Sequence, residues 1–240
     1  MTYVMSDLHG RYDQYRQMLE KIGFSDEDEL YVLGDVVDRG PEPIQILMDM
    51  SMRPNVYPIL GNHEYMAEYL LAKLSVEITD DNAEGHLTAE DLSALVGWLT
   101  DGGQTTLEGF RRLTPDEREG ILEYLAEFSP YEELTVGGNR FVLVHGGLAD
   151  FDPARPLWDY DEYTLVTEHT DYTRRYYPDR YLVTGHVPTG LIQPGCGGRI
   201  YNKNGHLAID CGSGWGGALG CLRLEDLCEF YVGESEGSEA

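Results

Sequence analysis

Short polar clusters of Asp, Asn, His and Arg recur along the chain, each beside at least one glycine. The clusters are Asp7-Leu8-His9-Gly10, Gly34-Asp35-Val36-Val37-Asp38-Arg39-Gly40, Gly61-Asn62-His63-Glu64, His145-Gly146 and Gly185-His186. They offer carboxylate and amide oxygens and imidazole nitrogens, a ligand set that suits two divalent first-row metals better than a thiolate zinc site. Two such ions lower the pKa of a shared water from about 15.7 towards 7 and clamp both oxygens of a displacement. The pattern therefore predicts hydrolysis at a two-metal site.

Each polar cluster follows a short apolar run that has the length and composition of a β-strand. These runs are Thr2 to Met5, Glu29 to Leu33, Val56 to Leu60, Phe141 to Val144 and Tyr181 to Thr184. Helical periodicity follows each of the first three runs, so the N-terminal part reads as repeated βα units with a largely parallel sheet. In such sheets the ligand crevice lies at the carboxyl ends of the strands. We therefore expect the clusters to meet at one sheet edge.

The remaining segments predict one domain over residues 1–232, followed by an acidic flexible tail at 233–240. Residues 66–128 read as an all-helical insertion, in which Thr114-Pro115-Asp116-Glu117 forms a capping box with Pro at the first helical position. Hairpins are predicted across Gly137-Gly138-Asn139 and across residues 202–205. His86 and His206 belong to no cluster, and we expect them at the surface or in a hairpin.

Composition narrows the classes of partner. The 240 residues include 43 Asp and Glu against 17 Lys and Arg, a net charge of -26, which repels a nucleic-acid backbone. No apolar run reaches the roughly 18–20 residues that span a bilayer, and the first residues lack a basic leader, so we expect a cytoplasmic protein without a membrane partner. Four cysteines without a C-x-x-C pair predict reduced thiols. The sequence leaves the oligomeric state open.

The five clusters resemble the phosphoprotein phosphatase family of dinuclear metallophosphoesterases in its short bacterial form. The family signature is D-x-H-G, G-D-x-x-D-R-G, G-N-H-E, a later H-G and a later G-H, and all five stand here in order. The resemblance implies an α/β fold of four layers, αββα, with a central β-sandwich flanked by helices. The helical insertion matches nothing in that signature.

The resemblance also implies roles for individual residues. Its metal ligands would be Asp7, His9, Asp35, Asn62, His145 and His186. Asp35 would bridge the two ions, for which manganese is the first expectation and iron, zinc and nickel are the alternatives. His63 would protonate the departing oxygen as general acid, with Asp38 fixing its tautomer. Arg39 would grip the phosphate with its planar fork, close to Asn62.

One departure from the family concerns a second phosphate-binding arginine, which relatives carry in W-x-R. His169 stands at that position here. A histidine is shorter, only partly charged at neutral pH and unable to form a bidentate clamp. Arg155 and Arg174 are therefore further candidates for substrate binding.

Three functions follow from the sequence. The first is hydrolysis of phosphomonoesters, taken as a serine/threonine protein phosphatase acting on a phosphorylated protein or a small phosphoester. The second is symmetrical cleavage of diadenosine tetraphosphate, since those hydrolases share every motif. The third, from another class, is a non-catalytic phosphate-binding regulatory module, which has no need of the His63 and Asp38 pair.

Overall fold

The computed structural model describes residues 1–77, 79, 86–193 and 195–233. Ten strands form two five-stranded sheets, and the strands are β1 Thr2–Met5, β2 Glu29–Leu33, β3 Val56–Ile59, β4 Tyr131–Val136, β5 Asn139–Val144, β6 Tyr181–Thr184, β7 Tyr201–Lys203, β8 His206–Ala208, β9 Leu219–Arg223 and β10 Cys228–Val232. The predicted hairpins are confirmed, since β4 pairs with β5 and β7 with β8 in antiparallel fashion. The predicted tail falls largely outside the described residues.

The sheets are mixed rather than parallel throughout. The first has the order β10-β9-β1-β2-β3, in which β1, β2 and β3 run parallel and β9 pairs antiparallel to β1. The second has the order β4-β5-β6-β8-β7, with β5, β6 and β8 parallel. Parallel central strands bring their carboxyl ends to one edge of each sheet.

Helices cover the outer faces of the two sheets and form the insertion. They are α1 Tyr12–Ile22, α2 Pro43–Ser51, α3 Asn62–Ser75, α4 Ala89–Trp98, α5 Gln104–Arg111, α6 Pro115–Ala126, α7 Glu162–Thr167 and α8 Thr189–Ile192. The capping box at Thr114 is present, with the hydroxyl accepting from the Glu117 amide. Within the described residues of 66–128 the chain forms the remainder of α3 together with α4, α5 and α6. No helix in the described ranges is both long and apolar enough to cross a bilayer.

Three apolar clusters separate four layers. Met5, Val32 and Leu47 lie in the core between the first sheet and its helices, and the insertion residues Trp98 and Phe110 join it. Val4, Leu33 and Ile59 of the first sheet meet Leu143, Val183 and Leu207 of the second between the sheets. Val144, Leu165 and Tyr176 form the third cluster beneath α7. The expected αββα architecture is confirmed, although its fourth layer is thin because α7 is only six residues long.

Candidate metal centre

The turns after β1, β2, β3, β5 and β6 bring two groups of side chains together. His9, Asp35 and His63 form one group, and Asp35, His145 and His186 form the other, with the potential ligand atoms of each group within 4.8 Å of one another. Asp35 belongs to both groups. Its Oδ2 lies 3.5 Å from His9 Nε2, and its Oδ1 lies 3.2 Å from His145 Nε2. The carboxylate is therefore placed to face two cations at once.

Asn62 and Asp7 lie next to these two groups. The Asn62 amide oxygen lies 3.0 Å from His145 Nε2 and 3.0 Å from His186 Nδ1. The Asp7 carboxylate is buried and accepts from the His186 amide at 3.1 and 3.2 Å. All six ligands expected from the sequence thus lie in one contiguous cluster.

The backbone of these turns is strained. Six candidate residues have positive φ angles without being glycine: Asp7, His9, Asp35, Asp38, Arg39 and His186. Such angles cost of order 1–3 kcal/mol each and persist only where the surrounding structure imposes them, most often at functional sites. The sheets therefore hold these side chains in conformations that an isolated turn would avoid.

Glu64, the last residue of the G-N-H-E motif, holds the turn that carries Asp35. Its buried carboxylate accepts from the amides of Asp35, Val36 and Val37 at 2.7, 2.8 and 3.0 Å. Burial, and secondarily the Asp35 charge, raise the pKa of Glu64 to about 7. A β-carbon at neighbouring Gly61 would lie 2.4 Å from the Asp35 nitrogen, so only glycine allows this approach. The motif G-N-H-E contains this glutamate, but the sequence does not show that it binds the turn at Asp35.

His63 and Asp38 form a buried pair at the edge of the first group. His63 Nδ1 lies 2.6 Å from Asp38 Oδ2, which leaves Nε2 directed towards Asp35, 3.8 Å away. Burial by itself would lower the pKa of His63, but the Asp35 and Asp38 carboxylates outweigh it and raise that pKa to about 9. The imidazole is therefore protonated at neutral pH, with one N–H available towards the cluster.

His9 and His186 have the opposite electrostatics. Burial lowers the pKa of His9 to about 3, and burial together with the neighbouring His145 lowers the pKa of His186 to about 4. Both imidazoles are consequently neutral at pH 7, the form that binds a metal ion. In contrast, the Asp35 charge raises the pKa of His145 to about 10 against the effect of burial.

The helical insertion supplies the groups that hold Asp38, which the sequence did not predict. The Trp98 indole N–H donates to Asp38 Oδ2 at 2.7 Å, and the Thr106 hydroxyl donates to Asp38 Oδ1 at 2.5 Å. The Asp38 amide in turn donates to the Thr106 oxygen at 2.9 Å. Between α4 and α5 the chain kinks at Asp101 and Gly102, whose backbone angles are not helical. The insertion is thus part of the site.

Trp98→Phe is expected to lower the free energy of unfolding by roughly 1.5–3 kcal/mol, because it deletes a buried hydrogen bond to a charged acceptor. Denaturant unfolding measures the change. Trp158→Phe is the matched control, since that indole is 74% exposed and exposed substitutions usually stay within about 0.5 kcal/mol. Equal stability of the two variants would contradict the role assigned to the Trp98 indole.

Arg39 reaches across the first group. Its Nη1 lies 2.6 Å from His9 Nε2, and its Nη2 lies 3.0 Å from His63 Nε2. From the kink between α4 and α5, the Asp101 carboxylate accepts from Nη2 at 3.0 Å and lies 3.4 Å from His63 Nε2. The guanidinium carbon lies 4.5 Å from the centre of the Trp215 ring. Neither Asp101 nor Trp215 belongs to a motif in the sequence.

The other three predicted substrate-binding residues, His169, Arg155 and Arg174, differ in what they contact. His169 lies at the cluster, with its ring 5.1 Å from that of His186. Arg155 and Arg174 instead contact tyrosine rings of their own segment. The Arg155 guanidinium lies 3.8 Å from the Tyr160 ring, and that of Arg174 lies 4.8 Å from the Tyr176 ring. The abundance of tyrosine in this segment explains the difference, because stacking on aromatic faces holds both guanidinium groups.

His206 lies in the β7–β8 hairpin, one of the two positions expected for it, but not at the surface. The imidazole is fully buried, stacks on Tyr172 with ring centres 4.8 Å apart, and its Nε2 lies 2.8 Å from the Thr184 hydroxyl. Its place at the start of β8, between β6 and β7, explains the burial. Sequence position in a hairpin does not distinguish the inner from the outer face.

Comparison with known proteins places this geometry in a family context. Residues 2–207 match the model of the calcineurin-like phosphoesterases. A symmetrical bis(5'-nucleosyl)-tetraphosphatase of Wigglesworthia glossinidia brevipalpis is 33% identical over 40% of this chain and 36% of its own length. An asymmetrical bis(5'-nucleosyl)-tetraphosphatase of Geobacillus sp. (strain WCH70) is 26% identical over 97% of this chain and 94% of its own. The chain spans less than half the length of the symmetrical relatives that it matches first.

Solved structures share the fold. A structure provisionally described as a diadenosine tetraphosphatase has a TM-score of 0.66 and 19% sequence identity, covering 98% of this chain and 94% of that one. A metallophosphoesterase from Sphaerobacter thermophilus has a TM-score of 0.50 and 16% identity over 98% of this chain and 87% of its own. At these identities the likeness establishes the arrangement of the layers.

Proposed function

The chain belongs to the calcineurin-like phosphoesterase family, and on that premise we propose that it is a two-metal hydrolase acting on dinucleoside tetraphosphates. The carrying observation is the shared position of Asp35 between two groups of ligand atoms. Hydrolysis of phosphoester bonds is the activity of the family. The substrate is the proposed part.

The donor set fits divalent metals. Each group combines carboxylate oxygen with imidazole nitrogen, and two of the imidazoles are held neutral by burial. We assign Asp7, His9 and Asp35 to one ion, and Asp35, Asn62, His145 and His186 to the other. Two divalent ions held there would neutralise the charge of the phosphate and lower the pKa of the attacking water. Manganese is the proposed metal, and iron, zinc and nickel fit the same ligands.

The chain's own residues account for the remaining steps. His63 donates its Nδ1–H to Asp38 at 2.6 Å, and because the Asp35 and Asp38 carboxylates raise its pKa to about 9, Nε2 also carries a proton and is placed to protonate the departing oxygen. Arg39, with Nη2 3.0 Å from His63 Nε2, grips the phosphate oxygens next to that proton donor. Trp98 and Thr106 keep Asp38 oriented. A non-catalytic binding module would have no use for this arrangement.

The named relatives reverse the order of the two enzymatic expectations from the sequence. Relatives of both the symmetrical and the asymmetrical kind carry the tetraphosphatase name. The protein phosphatase reading, placed first on the motifs, gains no such support. We therefore propose a dinucleoside tetraphosphate as the substrate. The products of its hydrolysis identify which bond is cleaved.

A substrate panel on the manganese-reconstituted protein tests the proposal. We expect kcat/KM for diadenosine tetraphosphate to exceed that for phosphoserine and phosphothreonine peptides by at least about tenfold, equivalent to 1.4 kcal/mol. Chromatography of the products identifies the bond: two nucleoside diphosphates mean symmetrical cleavage, and a monophosphate with a triphosphate means asymmetrical cleavage. Equal or faster turnover of the phosphopeptides would restore the protein phosphatase reading.

A further inference from the structure

Trp215 is an exposed aromatic ring held at the edge of the metal centre. Its side chain is 69% exposed, although it lies in the turn Ser213–Trp215, close to the cluster. Gly214 and Gly216 flank it, so its immediate neighbours in the chain provide no side chain that could cover the ring. The Arg39 guanidinium lies 4.5 Å from the ring centre.

The turn that carries Trp215 is anchored on both sides. The buried Ser213 hydroxyl donates to the Gln14 side-chain oxygen at 2.7 Å, and the Gln14 amide donates to the Gly217 carbonyl at 3.1 Å. Gly214 packs directly on His9, since a β-carbon there would lie 2.2 Å from His9 Cδ2. The indole is therefore at a fixed distance from a proposed metal ligand.

We propose that Trp215 is a stacking platform for the nucleobase of a nucleotide whose phosphate is held at Arg39. The inference rests on the proposed function and extends it from the reacting phosphates to the base. A preorganised, exposed indole gains free energy when an aromatic ring covers it, and every base offers such a face. Its contact with Arg39 makes the platform continuous with the phosphate site, as a nucleotide requires.

The competing role for Trp215 is to position Arg39 through the cation–π contact. The two roles separate when a ligand with a base is compared with one without. Loss of stacking on the indole weakens the binding of adenosine monophosphate and leaves the binding of orthophosphate little changed. Misplacement of Arg39 weakens the binding of both equally. The decisive quantity is therefore the ratio of their inhibition constants.

Inhibition of β-glycerophosphate hydrolysis by the manganese-loaded enzyme tests this. In the parent protein we expect adenosine monophosphate to inhibit more strongly than orthophosphate. Trp215→Leu should raise the inhibition constant of adenosine monophosphate about 5- to 100-fold relative to that of orthophosphate, because stacking of one base on an aromatic ring contributes about 1–3 kcal/mol. Trp158→Leu, which removes another exposed indole, is the control and should leave the ratio unchanged.

Fluorescence gives a readout that does not depend on turnover. In a Trp158→Phe protein the remaining indoles are Trp215 and the buried Trp98, so stacking should quench the exposed one. Adenosine monophosphate should quench and orthophosphate should not, and adding Trp215→Phe should remove most of the effect. Absence of quenching, or a Trp215→Leu variant that weakens both inhibitors equally, overturns the inference. Failure of the proposed function is a separate result, namely no hydrolysis of diadenosine tetraphosphate by the parent enzyme.

Discussion

Asp35→Asn is expected to abolish turnover and to reduce the metal content of the protein. The carboxylate lies in both groups of ligand atoms, so its loss weakens both proposed ions while the amide preserves the shape of the side chain. Metal catalysis supplies several kcal/mol of transition-state stabilisation, and about 4 kcal/mol corresponds to roughly a 10³-fold loss in kcat/KM. Elemental analysis after dialysis and steady-state kinetics measure the two effects.

A matched control separates the loss of metal from the loss of any buried carboxylate. Asp91 is also buried, but it binds Tyr69 and Lys73 in the insertion rather than an imidazole. Asp91→Asn should therefore lower stability and retain the metal content of the parent protein. An Asp35→Asn protein that keeps two ions per chain and turns over within about tenfold of the parent would refute the bridging role; general metal loss in both variants would point to unfolding.

His63→Asn is expected to lower kcat by about 10²- to 10⁴-fold without lowering metal content, because it removes a general acid and no proposed ligand. The loss should depend on the leaving group. An alkoxide is the most basic leaving group and needs the proton most, so the loss in kcat should be largest for alkyl phosphates. Aryl phosphates and polyphosphates leave as weaker bases and should lose less. Rates on this series, with metal analysis alongside, make the measurement.

Two further variants test how His63 acts. Asp38→Asn should lower kcat in the same direction but by less, because the imidazole remains while the carboxylate that raises its pKa and orients it is gone. His86→Asn removes an imidazole whose Nε2 lies 2.9 Å from the Lys73 carbonyl oxygen, and should leave kcat unchanged. A His63→Asn loss of equal size for every leaving group would argue for a structural role of this histidine.

The pH dependence of stability follows from the same pair in the metal-free protein. The pKa of His63 is raised from 6.5 to about 9, so the folded state binds this proton more tightly than the unfolded state. Its contribution to stability is fully present below about pH 6.5 and is lost as the pH rises through 9. Denaturant midpoints of the parent protein should fall over this window, and those of His63→Asn should fall less. Parallel pH profiles would contradict the link.

Local sequence pattern was enough to predict most of the candidate ligand cluster. Ligands directly follow short buried runs, and the bounds of β1 and β2 agree with the predicted strands. Because strand ends in parallel pairs meet at one edge, the residues at the turns could be predicted to converge without knowledge of distances. The separate roles expected for the adjacent Asn62 and His63, as ligand and general acid, come from the family resemblance and not from their spacing.

The residues that surround that cluster are set by long-range packing. Trp98, Asp101 and Thr106 reach Asp38 and Arg39 across 60, 62 and 68 residues of sequence. The local sequence of a helix does not predict which loop the helix packs against. In contrast, residues that follow a parallel strand are predicted to lie at the carboxyl edge of its sheet. Tyr160 and Tyr176 likewise draw Arg155 and Arg174 into stacking contacts that charge and sequence position could not reveal. Local pattern specifies elements and the residues at their ends, and long-range packing specifies the partners that orient them.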